Sequence, residues 1–158
     1  PDFGTIGFRT GKDDKGAWMQ KIPTEVGIDM SLMRMGKERY DIHCSACHGK
    51  YGNGRGVTSQ FGLNPKNLSD LSKPYLEQGD AWADGRLFNA ISMGSGVSPQ
   101  KPFLEDDPKL QKALASQIML GLKDKLSPKE RWAIVFYLRA LQKYVGEATL
   151  QEKEGKDS

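Results

Sequence analysis

The stretch His43-Cys44-Ser45-Ala46-Cys47-His48 contains both cysteines and both histidines of a chain of 158 residues. In the spacing Cys-x-x-Cys-His, each thiol can add to one vinyl group of a porphyrin as a thioether, and the adjacent imidazole can reach the iron. The stretch therefore predicts one covalent haem c attached at Cys44 and Cys47, with His48 as an axial ligand of its iron.

Two other uses of this cysteine pair agree less well with the sequence. A disulfide or thioredoxin-type redox pair would need an apolar strand running into the motif, whereas residues 35–42 have an amphipathic helical pattern. A structural zinc site would need four ligands, and the chain has no second pair of cysteines or histidines to complete one. His43 flanks the ligation pattern, and we predict that it is a surface or packing residue.

The composition favours one globular domain over a disordered or membrane protein. Hydrophobic residues make up 37% of the chain, and it has no run of about 18 apolar residues that could span a membrane. The net charge of +3 is spread among interspersed acidic and basic residues, which predicts no nucleic-acid partner. The N-terminus lacks the basic and apolar regions of a signal peptide, so we expect any export signal to have been removed.

Hydrophobic periodicity and capping residues predict helices and no strands. One helix, over about residues 31–47, leads into the haem motif. A short middle helix is predicted over residues 84–92, with Asp84 as its N-cap, and a further helix over about residues 109–120. The capping box Ser127-Pro128-Lys129-Glu130 opens a long, largely buried terminal helix.

The chain is predicted to have three parts. Residues 1–28 show no sustained period, which indicates an extended arm that wraps either the domain or a partner protein. Residues 29–146 form the haem domain, with a glycine-rich loop at residues 49–56 and an insertion at about residues 99–118. The charged residues 147–158 are predicted to be a flexible tail.

The order of these features resembles the class I cytochrome c fold: a helix, Cys-x-x-Cys-His, a glycine loop, a short middle helix and an aromatic C-terminal helix. The resemblance implies an all-α protein whose helices and loops wrap around one covalent haem. Gly36 is unfavourable within a helix, which predicts that another helix approaches it closely. In the class I fold the first and last helices cross at a glycine–aromatic contact, for which the sequence offers Gly36 or Tyr40 against Trp132, Phe136 or Tyr137.

Four stretches resemble a narrower family. They are similar to the monohaem cytochrome subunit of alternative complex III, a quinol:cytochrome c oxidoreductase, and comprise residues 36–42, 52–56, 84–91 and 131–142. The resemblance covers about residues 31–144 and implies peripheral association with a membrane complex. Family members commonly carry a lipid-anchoring cysteine at the mature N-terminus, where this chain has Pro1.

A methionine on the other side of the iron would raise the reduction potential and fill the coordination shell. In the class I fold this ligand comes from between the middle and last helices, which leaves Met93 and Met119. Ser98 occupies the usual ligand position of the narrower family, whereas residues 119–128 resemble its ligand-to-helix stretch with Leu120 in place of proline. We predict Met119 as the sixth ligand, with Met93 or an open or otherwise filled site as the alternatives.

Four further residues are candidates for contact with the haem. Pro65 resembles the proline whose carbonyl accepts a hydrogen bond from the ligating histidine in class I cytochromes. Trp82, Arg55 and Arg86 can donate to the propionates, because indole and guanidinium N–H groups bind carboxylates. An ordinary surface or packing role is the alternative for each.

These features predict a one-electron carrier rather than an enzyme, in a bacterial respiratory or photosynthetic chain, between a donor and an acceptor protein. Thioether formation needs reduced thiols and haem outside the cytoplasm, which predicts a periplasmic location. A first alternative is a haem subunit fixed in a quinol-oxidising complex, with residues 1–28 and 99–118 as contact surfaces. A second is an open-site haem that senses gas or reacts with peroxide.

Overall fold

The computed structural model describes residues 4–69, 83–94 and 119–156, with side chains as far as residue 145. Its α-helices are α1 (Ile6–Thr10), α2 (Met30–His43), α3 (Ser45–His48), α4 (Asp84–Met93) and α5 (Pro128–Lys156), and two 3-10 helices span Thr24–Val26 and Val57–Phe61. Two isolated β-bridges, Lys12–Trp18 and Gly94–Leu120, occur without any strand in these three ranges. The prediction of an all-α fold is confirmed.

α2 has one buried face that leads into the haem motif. Asp29 caps its start, accepting a 2.7 Å hydrogen bond from the backbone N–H of Leu32, and Leu32 and Tyr40 lie on its buried side. The single helix predicted over residues 31–47 is interrupted at Cys44, because the φ of −119° there departs from the helical value. Cys44 ends α2 and precedes the one-turn helix α3.

α5 begins at the predicted capping box. The backbone N–H of Glu130 donates to Ser127 Oγ at 3.2 Å, and the backbone N–H of Ser127 donates to Glu130 Oε2 at 2.8 Å. This reciprocal pair satisfies two N–H groups at the helix start that would otherwise lack partners. The helix is then enclosed on all sides, with 0% exposure at four successive residues, Trp132, Ala133, Ile134 and Val135.

α2 and α5 cross where there is no room for a larger residue. A Cβ atom on Gly36 would overlap the carbonyl oxygen of Ala133 and lie 2.9 Å from Tyr137 Cβ. The Tyr40 and Tyr137 rings also pack between these helices, with centroids 5.4 Å apart. The glycine–aromatic crossing is therefore present, with Tyr137 as the aromatic partner of Gly36.

α4 packs on α5 through a ring stack and an ion pair. The Phe88 and Trp132 rings stack with centroids 4.4 Å apart, and Asp84 Oδ1 lies 2.7 Å from Arg139 Nε. The prediction of Asp84 as the N-cap is wrong, because Ala83 occupies that position and the Asp84 carboxylate binds Arg139 instead.

Residues 4–28 contact the helices of the domain. The indole N–H of Trp132 donates to the carbonyl oxygen of Phe8 at 2.8 Å. The backbone N–H of Gly85 donates to the carbonyl oxygen of Met19 at 2.8 Å. These contacts join the segment to α5 and α4. The segment is not wholly extended, since it contains α1.

α5 continues through most of the predicted tail. A flexible tail is predicted at residues 147–158, but the backbone remains helical to Lys156. Residues 147–156 contain no proline, and their one glycine, Gly155, does not end the helix. Their high content of charged residues therefore does not by itself indicate the end of α5.

Some predicted elements fall outside the described residues. These are the insertion at about residues 99–118 and all but the end of the helix predicted over residues 109–120. Met119 and Leu120 form the end of that prediction and are not helical, since Leu120 is bridged to Gly94. Among the helices that the structure describes, none is long and apolar enough to cross a membrane.

Candidate functional site

One helical turn brings together the three residues of the predicted haem motif. The backbone N–H groups of Cys47 and His48 both donate to the carbonyl oxygen of Cys44, at 3.2 and 2.8 Å. Because residues three and four positions apart share one face of a helix, Cys44, Cys47 and His48 lie next to one another. His43 precedes this turn and is exposed.

Neither cysteine is in a disulfide, and Cys44 is buried. Burial, with a smaller contribution from Cys47, raises the pKa of the Cys44 thiol to about 12, whereas a redox-active pair lowers the pKa of its reactive thiol. Before haem is attached, this raised pKa makes Cys44 poorly suited to disulfide exchange. The thiols remain available for thioether bonds, in which sulfur bonds to a vinyl carbon and the proton passes to the neighbouring carbon.

His48 is buried and held by a backbone hydrogen bond. Its Nδ1 lies 2.9 Å from the carbonyl oxygen of Lys66. A carbonyl can only accept, so Nδ1 is the donor and Nε2 keeps the lone pair that an iron ligand needs. Burial lowers the pKa of His48 despite this bond, so the ring is neutral at about pH 7.

The acceptor of this bond is one residue later than predicted. The carbonyl oxygen of Pro65 faces the glycine-rich loop instead, where a Cβ atom on Gly54 would lie only 2.7 Å from it. Successive carbonyl groups of a non-helical segment point in different directions, so a shift of one residue changes which oxygen faces the imidazole. The carbonyl of Lys66 therefore replaces that of Pro65 in this role.

The glycine-rich loop at residues 49–56 folds back over α3. The backbone N–H of Gly54 donates to the carbonyl oxygen of His48 at 2.8 Å, and Gly54 has φ +77°, in the left-handed region that favours glycine. The buried Tyr40 hydroxyl donates to the carbonyl oxygen of Gly49 at 2.7 Å. These bonds attach the loop to the haem motif and to α2.

Met93 and Met119 belong to neighbouring segments of the fold. Met93 ends α4, and the bridge between Gly94 and Leu120 pairs the residues that follow the two methionines. Met93 is 59% exposed, whereas Met119 is half-buried and packs against the hydrophobic core. Met119 begins the methionine segment, residues 119–127, which leads into α5.

The residues of this site fit a covalently bound haem better than a bare metal ion. One helical turn presents two free thiols and a neutral imidazole with Nε2 available, which is the donor set that haem c requires. Within residues 4–69, 83–94 and 119–156, no group of three or more histidine, cysteine, aspartate or glutamate side chains could hold a metal ion.

Residues 33–142 match the family model described as Cytochrome c. The match covers 110 of the 158 residues, counting both ends. The chain belongs to the cytochrome c family. It is a class I c-type cytochrome with covalent haem c, it transfers electrons through that haem, and redox proteins are its partners. The comparison with curated proteins gave no match.

We call residues 44–69 the histidine side of the cytochrome. Gln142 supports this side and is not among the site residues predicted from the sequence. It is 3% exposed, and its Nε2 donates to the carbonyl oxygen of Leu68 at 2.7 Å, two residues after the carbonyl that binds His48. Its Oε1 accepts from Arg139 Nη1 at 2.9 Å, so both ends of the amide are paired. The sequence signal for such a residue is a polar side chain within the apolar stripe of α5.

The remaining predicted haem contacts are spread over the cytochrome. Arg55 is exposed on the glycine-rich loop, and Pro65 is partly buried beside it. Arg86 is exposed on α4, with its guanidinium carbon 5.9 Å from the centroid of the Trp18 ring. Trp82 lies outside the described residues. The structure thus brings Arg55 and Pro65 near the haem motif and places Arg86 against the N-terminal segment.

Proposed function

We propose that this cytochrome is a one-electron carrier of the bacterial periplasm, with His48 and Met119 as the axial ligands of its iron. The main support is the position of Met119, which begins the segment that leads into the last helix and packs against the hydrophobic core. Its place shortly before the last helix agrees with the resemblance to class I cytochromes.

The groups around His48 hold the histidine ligand in place. When bound, the haem iron supplies the one-electron change between the ferric and ferrous states. The carbonyl of Lys66 orients the His48 ring and makes Nε2 a stronger donor. The bond from the backbone of Gly54 holds the main chain of the ligand itself. A histidine held in this way keeps its position in both oxidation states, which suits electron transfer.

A methionine on the other side favours electron transfer over ligand chemistry. The soft thioether stabilises ferrous iron and so raises the reduction potential. With protein side chains at both axial positions, no position is open for oxygen, carbon monoxide or peroxide. This separates the proposal from an open-site sensor or a peroxide-reactive haem protein.

Optical spectra of the purified holoprotein and two variants test the ligand assignment. We expect ferric wild type to show the weak red absorption band of an iron–methionine bond, and ferrous wild type not to bind carbon monoxide. Met119→Ala should abolish the band and admit carbon monoxide, and the matched control Met93→Ala should leave both unchanged. Carbon monoxide binding by wild type, or loss of the band only in Met93→Ala, would contradict the assignment of Met119.

The location and the wider chain follow from the chemistry of attachment. Haem and reduced thiols must meet outside the cytoplasm for thioether bonds to form, which favours export to the periplasm. The donor and acceptor are then proteins of a respiratory or photosynthetic chain. Cell fractionation of a native host tests this location. The haem-containing protein should be found in the periplasmic or the membrane fraction and not in the cytoplasmic fraction.

A second candidate is a haem subunit fixed in a quinol-oxidising complex. It is favoured by the resemblance to the alternative complex III subunit and by α5, which continues from residue 142, where the family match ends, to Lys156. A helix that extends beyond the haem domain offers additional surface to a neighbouring subunit. Purification under native conditions separates the candidates, since a fixed subunit should co-purify with quinol-oxidising subunits and a carrier should be monomeric.

A further inference from the structure

Arg131 is a buried cation at the start of α5 that forms no ion pair within the described parts of the chain. It is 6% exposed, and its guanidinium carbon lies 4.6 Å from the centroid of the Phe88 ring. Burial lowers the pKa of Arg131, against a smaller opposite effect of Asp124, but an arginine stays charged in a protein. Burying a charge costs free energy that its hydrogen bonds must offset, so the partners of this guanidinium are important to the start of α5.

These hydrogen bonds join the end of α4 to the start of α5. Nη1 of Arg131 donates a hydrogen bond to Ser92 Oγ in the last turn of α4. Nε donates to the carbonyl oxygen of Ser127 at 3.4 Å, just before α5. The Ser92 hydroxyl in turn donates its own proton to the carbonyl oxygen of Phe88 at 2.7 Å. Arg131 therefore connects the two anchor points between which the methionine segment lies.

The backbone at Ser92 holds the methionine segment. The carbonyl oxygen of Ser92 accepts from the backbone N–H of Lys123 at 3.1 Å, and the carbonyl oxygen of Ile91 accepts from the backbone N–H of Leu122 at 2.9 Å. Carbonyl groups in the last turn of a helix have no partner within the helix itself. The residues that follow Met119 are therefore hydrogen-bonded to the turn that Arg131 holds.

The methionine segment also packs tightly on the end of α4. A Cβ atom on Gly121 would lie 2.6 Å from the carbonyl oxygen of Ser92 and 2.7 Å from the carbonyl carbon of Met93. In the same contact, a Cβ atom on Gly94 would overlap the carbonyl oxygen of Met119. Because the two backbones touch, a displacement of the end of α4 must also displace the backbone of Met119.

We propose that Arg131 is a positioning residue for the sixth ligand: through Ser92 and Ser127 it holds the methionine segment so that Met119 stays on the iron. The inference rests on the proposed function, because it requires Met119 to be the ligand. Without these bonds the segment leaves the iron more often, and the open form is more populated. An external ligand that binds only the open form then has a lower apparent dissociation constant, in inverse proportion to that population.

The test is a titration of the ferric holoprotein with imidazole. Binding is measured as the loss of the red absorption band. Ser92→Ala removes the acceptor of Arg131 and should lower the apparent dissociation constant about tenfold, the scale of one hydrogen bond to a charged group. Arg131→Gln should lower the apparent dissociation constant at least as much. The value for Arg131→Lys should lie between those of wild type and Arg131→Gln. The matched control is Arg39→Gln, which removes a guanidinium bonded to Glu130, in the same turn of α5 but from the side of α2.

Arg39→Gln should change the apparent dissociation constant by less than about twofold. Met119→Ala distinguishes the two proposals: if this variant keeps the red band, Met119 is not the ligand and the assignment under the proposed function fails. If it loses the band while Ser92→Ala and Arg131→Lys bind imidazole no more tightly than Arg39→Gln, only the positioning role is refuted. Ser92→Ala keeps the test decisive if Arg131→Gln does not fold, because it removes a single buried hydroxyl.

Discussion

The two sides of the haem site are built in different ways. On the histidine side, His48 is held by groups near it in the chain: its own helical turn, the loop that follows, and the carbonyl of Lys66, 18 residues away. On the other side, the methionine segment is held through Arg131 and Ser92, which are 39 residues apart. The first arrangement depends on local geometry, whereas the second depends on how α4 packs against α5.

This difference has a functional consequence. The histidine side provides permanent attachment, through two thioether bonds and a ligand fixed by short-range hydrogen bonds. Under the proposed ligation by Met119, the methionine side would provide a bond that can break, and its strength would depend on tertiary packing, as would the reduction potential and the closure to other ligands. We therefore expect a change in the shared core to affect both sides, and a change in either network to affect only its own side.

Replacing the glycine at the α2–α5 crossing should break both sides at once and have the largest effect. In Gly36→Val, the new Cβ atom would overlap the carbonyl oxygen of Ala133. The helices must then separate, which should lower the free energy of unfolding by about 3 kcal/mol. Because both networks depend on α5, the red band and the helical circular dichroism signal should be lost together, at a lower denaturant concentration than in wild type.

Arg34→Val is the control for this prediction, since it puts the same β-branched side chain on an exposed position of α2. Through helix propensity alone, Arg34→Val should lower the free energy of unfolding by less than about 1 kcal/mol. Equal losses in Gly36→Val and Arg34→Val would show that the crossing does not determine stability.

Removing the amide of Gln142 should weaken the histidine side alone, with an intermediate effect. Gln142→Ala leaves the carbonyl oxygen of Leu68 without its buried donor, which should lower the free energy of unfolding by about 1–2 kcal/mol. Met119 is not part of this network, so the apparent dissociation constant for imidazole should stay within about twofold of wild type. Much tighter imidazole binding in this variant would show that the two sides are coupled.

The histidine side is also the side that the sequence predicts well. Cys44, Cys47 and His48 are recognisable because the chemistry of haem attachment sets their spacing. The error on this side, the carbonyl of Pro65 in place of that of Lys66, is a shift of one residue in an irregular segment. No local pattern determines which carbonyl of such a segment turns towards a given side chain.

The supports that α5 supplies, Arg131 for the methionine side and Gln142 for the histidine side, are not predictable in the same way. A helical pattern identifies the positions of α5 that face the core, but not the polar atoms of another helix that meet them there. Arg131 and Gln142 occupy such positions, and their partners come from distant parts of the chain. The same limit explains Asp84, whose carboxylate suits an N-cap locally but binds Arg139 across the helix interface.

The smallest effect is expected at the locally built start of α5. The hydrogen bond from the backbone N–H of Ser127, with help from Arg39, holds the pKa of the Glu130 carboxyl below its ordinary value. Such a carboxyl stabilises the fold above its unfolded pKa, and this contribution is lost as the pH falls through the folded pKa. Glutamine keeps an acceptor for the capping box but not the charge. Glu130→Gln should therefore lower the free energy of unfolding by about 0.5–1 kcal/mol near pH 7, and by progressively less at acid pH as the folded carboxyl takes up its proton.

Glu38→Gln is the matched control, because Glu38 is 65% exposed and pairs with the same Arg39 at 3.3 Å; its effect should be close to zero at both pH values. Glu130 lies one residue before Arg131, so the same variant tests how far the charge in the capping box acts. We expect imidazole binding to be unchanged in Glu130→Gln, since the capping box stabilises only its own turn, whereas Arg131 reaches α4. An increase in imidazole affinity as large as that of Ser92→Ala would mean that the whole start of α5, rather than the guanidinium of Arg131, holds the methionine segment.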